Sequence, residues 1–121
     1  MNVERRYYPR TSVDWPAELR LESGESIRGS ATDASPAGIQ IACDGHDAAR
    51  ILPPGSTLIL ATAPRPILRL GLGGTEPDAL VEVNCRLAYL RRVAQDKYHI
   101  GLLFVQFSGD GERLLENHLE S

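Results

Sequence analysis

Cysteine is scarce in this chain, which has only Cys43 and Cys85 among its 121 residues. The two cysteines form no CxxC pair and have no Cys or His cluster beside them, so the sequence predicts no zinc site. We expect both to be buried free thiols, because they lie in apolar alternating segments. No apolar stretch reaches the ~20 residues of a membrane helix, and the amino terminus lacks a signal-peptide pattern. We therefore expect a cytoplasmic protein without membrane insertion.

Basic residues are not in excess, since the net charge is −3 and the charged fraction of 24% contains both signs. No global positive field exists to attract a nucleic acid polymer. Aromatic residues make up only 6% of the chain. A small barrel that binds single-stranded nucleic acid would need basic strands with exposed aromatics, so this class is disfavoured. The length fits one domain with a single core.

The sequence also lacks the usual signatures of catalysis. His46, His99 and His118 are scattered without HxH or HExxH spacing, which predicts no metal site. Ser35 lacks the GxSxG elbow of a hydrolase, although a triad partner need not be adjacent in sequence. The glycines at 71–74 match neither the dinucleotide nor the Walker pattern. We expect no enzyme and no cofactor.

What the sequence does contain is period-two alternation of apolar and polar side chains, the mark of β-strands. In the first strand Val13, Trp15, Ala17 and Leu19 alternate with polar residues. Six strands joined mainly by short turns, with one terminal helix after Asp110, predict a closed or nearly closed antiparallel barrel. The predicted strands are 13–21, 26–32, 39–43, 56–60, 80–93 and 98–107.

Four details of this barrel are also predicted. Pro16 cannot donate to a ladder, so its strand should lie at an edge or carry the proline on an unpaired side. Residues 44–55 have room for at most one helical turn, and 63–78 should form a long loop or a strand extension. Residues 98–107 are mostly apolar, so we expect cover on both faces, with the last helix outside.

A short turn, Ser35-Pro36-Ala37-Gly38, lies between the second and third predicted strands. Ser, Pro and Gly occupy the positions that each favours in a type I turn, so the turn should be rigid. Its expected outward groups are the Asp33 carboxylate, the Ser35 hydroxyl and the bare backbone around Gly38. This surface suits a ligand with both donors and acceptors.

The amino-terminal segment carries three arginines, Arg5, Arg6 and Arg10, against a single acid. Arg6 and Arg10 have RxxxR spacing, and Pro9 disfavours a helix there, so we expect an extended, flexible arm over residues 1–12. A solvated basic tail would explain RxxxR if it stood alone. The downstream DxSxxG pattern changes this interpretation.

RxxxR followed by DxSxxG, with one strand and a turn between them, resembles the PilZ domain family over nearly the whole chain. The resemblance implies a six-stranded antiparallel β-barrel with a C-terminal helix over residues 13–121, and a receptor for cyclic di-GMP. The family's motifs fall on Arg6 and Arg10, and on Asp33, Ser35 and Gly38. All motif positions are therefore filled.

The ligand explains these residue types. A guanidinium can bind phosphate oxygens or the O6/N7 edge of guanine, or stack on a base, which suits Arg6 and Arg10. The Asp33 carboxylate can accept from guanine N1–H and N2–H₂ together, and the Ser35 hydroxyl can donate. In the family, a basic residue at the position of Arg5 accompanies two intercalated ligand molecules. The alternative for Asp33 and Ser35 is that each side chain caps its own turn, a role that can coexist with binding.

Two functions remain open at this stage. The first is a stand-alone receptor that binds cyclic di-GMP and regulates a separate effector protein in trans. The second is an adaptor of the same fold that contacts proteins without the nucleotide. The filled motifs favour the first.

Overall fold

The computed structural model describes residues 10–72 and 80–120, which form a closed barrel of six antiparallel strands. The strand order around the barrel is β1-β2-β3-β6-β5-β4. This confirms the predicted fold class. The strands are β1 Thr11–Arg20, β2 Ser26–Ala34, β3 Gly38–Cys43, β4 Ile67–Gly71, β5 Leu80–Ala94 and β6 Lys97–Phe107; the helices are α1 Gly45–Ile51 and α2 Gly111–Glu120.

The barrel interior is filled by the apolar members of each alternating strand. Ala17 and Leu19 of β1 are buried, while Arg20 beside them is exposed. The same alternation runs along the first half of β5, as predicted. Such alternation closes a single core because successive side chains point to opposite faces of a strand. The completely buried large side chains include Leu19, Ile39, Ile41, Leu68, Leu70, Leu87, Ile100 and Leu115.

The strand that carries Pro16 lies inside the closed sheet, where it pairs with both β2 and β4. The edge position predicted for it is therefore wrong. Pro16 lies opposite Ser30 of β2, but the register with β4 begins one residue later, at Ala17. The second alternative, a strand that carries the proline on an unpaired side, agrees with this register. A proline is tolerated there because a missing N–H costs nothing where no ladder bond is due.

The fourth strand is not where the sequence pattern placed it. Residues 56–60 form no strand, and Ile59 remains 56% exposed. The strand is β4, which falls in the segment predicted as a loop or strand extension. Two prolines just before β4 continue its pairing with β5 through their carbonyl groups, since proline has no N–H to donate. Pro66 O accepts from Cys85 N at 2.9 Å, and Pro64 O accepts from Leu87 N at 2.9 Å. The rest of that predicted loop, 73–78, lies outside the described residues.

Helix α1 is longer than the single turn predicted for this region. It spans seven residues, and the Asp44 side chain accepts from Asp47 N at its start. An N-cap of this kind satisfies a backbone donor that the first turn leaves unpaired. Ala48 and Ile51 are its buried side chains. The β5–β6 turn holds the helix in place, since Asp96 accepts from Gly45 N at 2.9 Å.

Among residues 10–72 and 80–120, nothing provides the predicted cover over the whole outer face of β6. Leu103 and Val105 are 39% and 53% exposed on its outer face. Helix α2 instead packs against β5 and inserts Leu115 into the core. Asp110 precedes this helix, and its carboxylate contacts Arg113 at 3.0 Å.

Two leucines test whether burial, rather than residue type, sets the contribution of a side chain to stability. We expect Leu115→Ala to lower the free energy of unfolding by about 2–5 kcal/mol, because it leaves a cavity where a helix meets the barrel. Leu103→Ala removes the same atoms from an exposed position and should cost less than about 1 kcal/mol. Urea unfolding of both variants checks this. Equal losses would mean that α2 does not dock as described.

Candidate functional site

The pairing of β1 with β2 brings the start of one strand to the end of the other. Thr11 lies opposite Ala34, and Ser12 lies opposite Asp33. Arg10, which immediately precedes β1, therefore lies beside Asp33. Its Nη1 donates to Asp33 Oδ1 at 2.8 Å, across 23 residues of sequence.

This ion pair is exposed enough to accept a third partner. The side chain of Arg10 is 46% exposed and that of Asp33 is 23% exposed. An exposed pair contributes at most about 1 kcal/mol, because water screens it and both side chains lose rotamer freedom. A carboxylate offers about four acceptor sites and a guanidinium five donors, so one hydrogen bond leaves most of both available. The pair positions Asp33 without saturating it.

A β-bulge next to this pair affects the direction of the Asp33 side chain. The β2–β3 register shifts between Ala31 and Asp33, which leaves Thr32 as an extra residue. Asp33 then lies opposite Gln40 of β3. A bulge of this kind redirects a side chain at the point where pairing changes, and bulges are common beside functional sites.

The Ser35–Gly38 connection was predicted in the right place, but its serine faces inward. Ser35 is only 5% exposed. Its hydroxyl oxygen accepts from Ala37 N at 3.2 Å and from Gly38 N at 3.3 Å, while Ser35 N donates to Gly38 O at 2.9 Å. The hydroxyl thus takes the acceptor role that a backbone carbonyl has in a type I turn. The expectation of an outward Ser35 hydroxyl is wrong, and its turn-capping alternative is observed.

Gly38 is also explained by the barrel. A Cβ at this position would lie 2.5 Å from the carbonyl oxygen of Leu102, in the neighbouring strand β6. That oxygen belongs to a paired backbone and cannot move aside. Gly38 is buried, so its missing Cβ serves the approach of β3 to β6 rather than the approach of a ligand.

A second group of side chains, which the sequence pattern did not single out, continues from Asp33 across the outer face. Gln40 donates through Nε2 to Thr32 Oγ1 at 3.1 Å and accepts from Tyr89 Oη at 2.6 Å. Arg91 places its guanidinium carbon 5.1 Å from the centre of the Tyr89 ring. Asp33, Gln40 and these two side chains thus form one polar surface.

Strict alternation along β5 places Tyr89 on the same face as Val83, Cys85 and Leu87, and so predicts that it faces the core. The register between β5 and β6 shifts between Leu87 and Tyr89, so the alternation changes phase there. One extra residue exchanges the two faces of a strand. Leu90 consequently packs against the core, and Tyr89 lies outside. A bulge leaves no sign in the apolar pattern that would have located it.

Comparisons with known proteins give the fold. No protein-family model matches the chain, and no curated protein matches it. The Bacillus subtilis inhibitor of motility MotI/DgrA superposes with a TM-score of 0.70 at 16% identity, covering 99% of this chain and 52% of that one. A PilZ domain of Escherichia coli YcgR with c-di-GMP superposes with a TM-score of 0.62 at 17% identity, covering 93% of this chain and 86% of that domain. The chain has the PilZ fold.

A match to a longer protein shows what share of such a protein's length this fold covers. YcgR in complex with c-di-GMP, from Escherichia coli, superposes with a TM-score of 0.66 at 16% identity. That match covers 98% of this chain but 46% of YcgR. The PilZ fold described here therefore spans about half the length of several of the solved structures that it matches.

Of the six predicted site residues, four lie in the described part of this PilZ fold. Arg10 and Asp33 touch, while Ser35 and Gly38 build the adjoining turn. Arg5 and Arg6 lie outside the described residues, as does most of the predicted arm. The first strand begins at Thr11, two residues before the predicted start.

Other chemistry finds little support in the described chain. Burial raises the pKa of Cys85 to about 12 and that of Cys43, which is half-buried, to about 11. Neither sulfur is therefore a ready nucleophile at neutral pH, since the thiolate is the reactive form. Within residues 10–72 and 80–120, no group of three His, Cys, Asp or Glu could hold a metal. No helix in these ranges is long and apolar enough to cross a membrane.

The inward serine can be tested separately from any ligand. We expect Ser35→Ala to lower the free energy of unfolding by about 1–3 kcal/mol, because two turn N–H groups lose their acceptor. Ser56→Ala, at an exposed position, should change it by less than about 0.5 kcal/mol. Chemical denaturation measures both. A Ser35→Ala protein as stable as the parent would contradict the turn role.

Proposed function

We propose that this protein is a non-enzymatic receptor for cyclic di-GMP. The observation that carries the proposal is the contact between Arg10 and Asp33 at 2.8 Å, on a barrel with the PilZ fold. These residues end the RxxxR motif and begin the DxSxxG motif. Two motifs that are distant in sequence thus form one surface, as a shared ligand requires.

In this proposal the Asp33 carboxylate recognises a guanine base. Guanine presents N1–H and N2–H₂ on one edge, and a carboxylate accepts both hydrogen bonds at once. Adenine lacks this pair of donors, so the carboxylate favours guanine over adenine. Arg10, already beside Asp33, retains donors for a phosphate oxygen or for the O6/N7 edge.

Ser35 and Gly38 act through the backbone of the turn. The buried hydroxyl fixes the amides of Ala37 and Gly38, and this rigid connection follows directly on Asp33. A fixed turn lets the carboxylate meet the ligand without a further ordering cost. We therefore assign Ser35 and Gly38 to the binding site as residues that shape it.

Arg5 and Arg6 complete the proposed site from the arm at residues 1–12, which precedes the domain at 13–121. Ordering one backbone residue costs roughly 1–2 kcal/mol, while a hydrogen bond to a charged group returns about 1.5–3 kcal/mol. Several arginine contacts are therefore needed to fix the arm, and loss of one should weaken binding strongly. A pair of intercalated ligands would give Arg5 its partner.

Binding would regulate a separate effector protein in the cytoplasm. An arm that becomes ordered on a ligand creates a new surface, which is a general way to switch a protein contact. Solved structures with this fold include an inhibitor of motility and MrkH, described as a c-di-GMP-dependent transcription regulatory factor. Both names describe regulators, which supports a receptor function for this chain.

Calorimetric titration with cyclic di-GMP tests the proposal. We expect micromolar or tighter binding by the parent protein, and a loss of at least about tenfold in Arg6→Ala, Arg10→Ala and Asp33→Ala, equivalent to about 1.4 kcal/mol. Asp33→Asn should lose as much, because its amide turns a donor toward the guanine donors. Arg113→Ala, on the exposed face of α2, is the matched control and should bind normally.

The same titration separates the alternatives. Absence of binding by the folded parent protein would contradict the receptor and favour the ligand-independent adaptor. Normal binding in the arginine variants would show that the arm does not contact the ligand. The stoichiometry reports on Arg5, since two ligands per chain would support an intercalated pair and one would contradict it.

A further inference from the structure

Tyr89 lies flat on the outer face of the barrel in a position that glycine makes available. Gly101 is its cross-strand partner, and a Cβ on Gly101 would overlap the tyrosine ring. The hydroxyl donates to Gln40 Oε1 at 2.6 Å, so the ring spans from β5 over β6 to β3. Contacts at both ends of the side chain hold it in this orientation.

Arg91 rests on this ring. Its guanidinium carbon is 5.1 Å from the ring centre, and the residue is exposed. A guanidinium over an aromatic face is attracted by the ring and keeps its own plane open to further stacking. The neighbouring Arg92 is used differently, because it donates to the carbonyls of Ala94 and Gln95. Arg91 is therefore an exposed cation on this face.

Cross-strand pairs connect Asp33 to Tyr89, the residue on which Arg91 rests. Asp33 lies opposite Gln40, Gln40 opposite Gly101, and Gly101 opposite Tyr89. Three strand spacings amount to about 14 Å, and Tyr89 shortens this distance by leaning back to Gln40. A cyclic dinucleotide in an extended conformation, with one base at each end, is a ligand that this arrangement would fit.

We propose that Arg91, positioned by Tyr89, binds the second guanine of cyclic di-GMP. The inference rests on the proposed function and extends it, since Asp33 takes the first guanine. The guanidinium stacks on the base or grips its O6/N7 edge, both of which need a planar fork that a lysine lacks. Because the ring already fixes the guanidinium, little further rotamer freedom is lost on binding.

A hybrid ligand isolates this contact. In 3′,3′-cyclic GMP–AMP one guanine can occupy Asp33, which leaves adenine at Arg91. We expect the parent protein to bind cyclic di-GMP about tenfold more tightly than the hybrid, within the discrimination that one base contact provides. Arg91→Ala should weaken cyclic di-GMP about tenfold and remove most of this preference. Arg91→Lys should behave like Arg91→Ala, and Arg92→Ala like the parent.

A spectroscopic readout accompanies the affinities. The Nε–H resonance of Arg91 should shift when cyclic di-GMP is added, and that of Arg92 should not. Loss of binding in Arg10→Ala and Asp33→Ala, with unchanged selectivity in Arg91→Ala, would overturn this inference and leave the receptor intact. Full binding by Arg91→Lys would also overturn it, since charge alone would then suffice. A parent protein that binds no cyclic di-GMP would overturn both proposals.

Discussion

Closure of the barrel is the constraint on which the candidate site depends. Strand β1 pairs on one side with β2 and on the other with β4, so its position is fixed from both directions. That register sets Ser12 opposite Asp33 and places Arg10 within hydrogen-bond distance of the carboxylate. The ion pair itself is too exposed to hold the strands together. The hydrophobic core aligns the two motifs, and the ion pair follows from that alignment.

The same sheet shapes the outer face beside the ion pair. Gly38 and Gly101 both lie where a Cβ would strike a neighbour, one against a β6 carbonyl and the other against the Tyr89 ring. The missing side chains let β3 approach β6 and let the Tyr89 ring lie across β6, on the face that Asp33 borders from β2. In the proposed site a planar base would cover this face, and an arm or a guanidinium would exclude water from the other side of the base.

The sequence pattern located most of the fold because a strand that is buried on one face has alternating apolar and polar residues. It failed where geometry departs from strict period two. The bulge before Tyr89 reversed the faces of β5, and the prolines before β4 hid a ladder that uses carbonyls only. For the candidate site, motif spacing singled out Asp33 and Arg10, which the structure brings into contact, but it could not reveal that the Ser35 hydroxyl turns inward. The sequence did not single out Arg91, because its placement depends on a ring two residues away and on a glycine in another strand.

These structural roles change what the motif itself can tell. Ser35 and Gly38 are needed by the barrel whether or not a ligand binds, because one caps the turn and the other admits the β6 backbone. A relative that had lost the nucleotide would keep both residues under selection for folding alone. Arg10 and Arg91 contribute little to stability by comparison, since both are exposed and neither fills the core. Under the proposed function, arginine at these positions, more than the serine and glycine of the turn, is therefore the feature that would distinguish a receptor from an adaptor of the same fold.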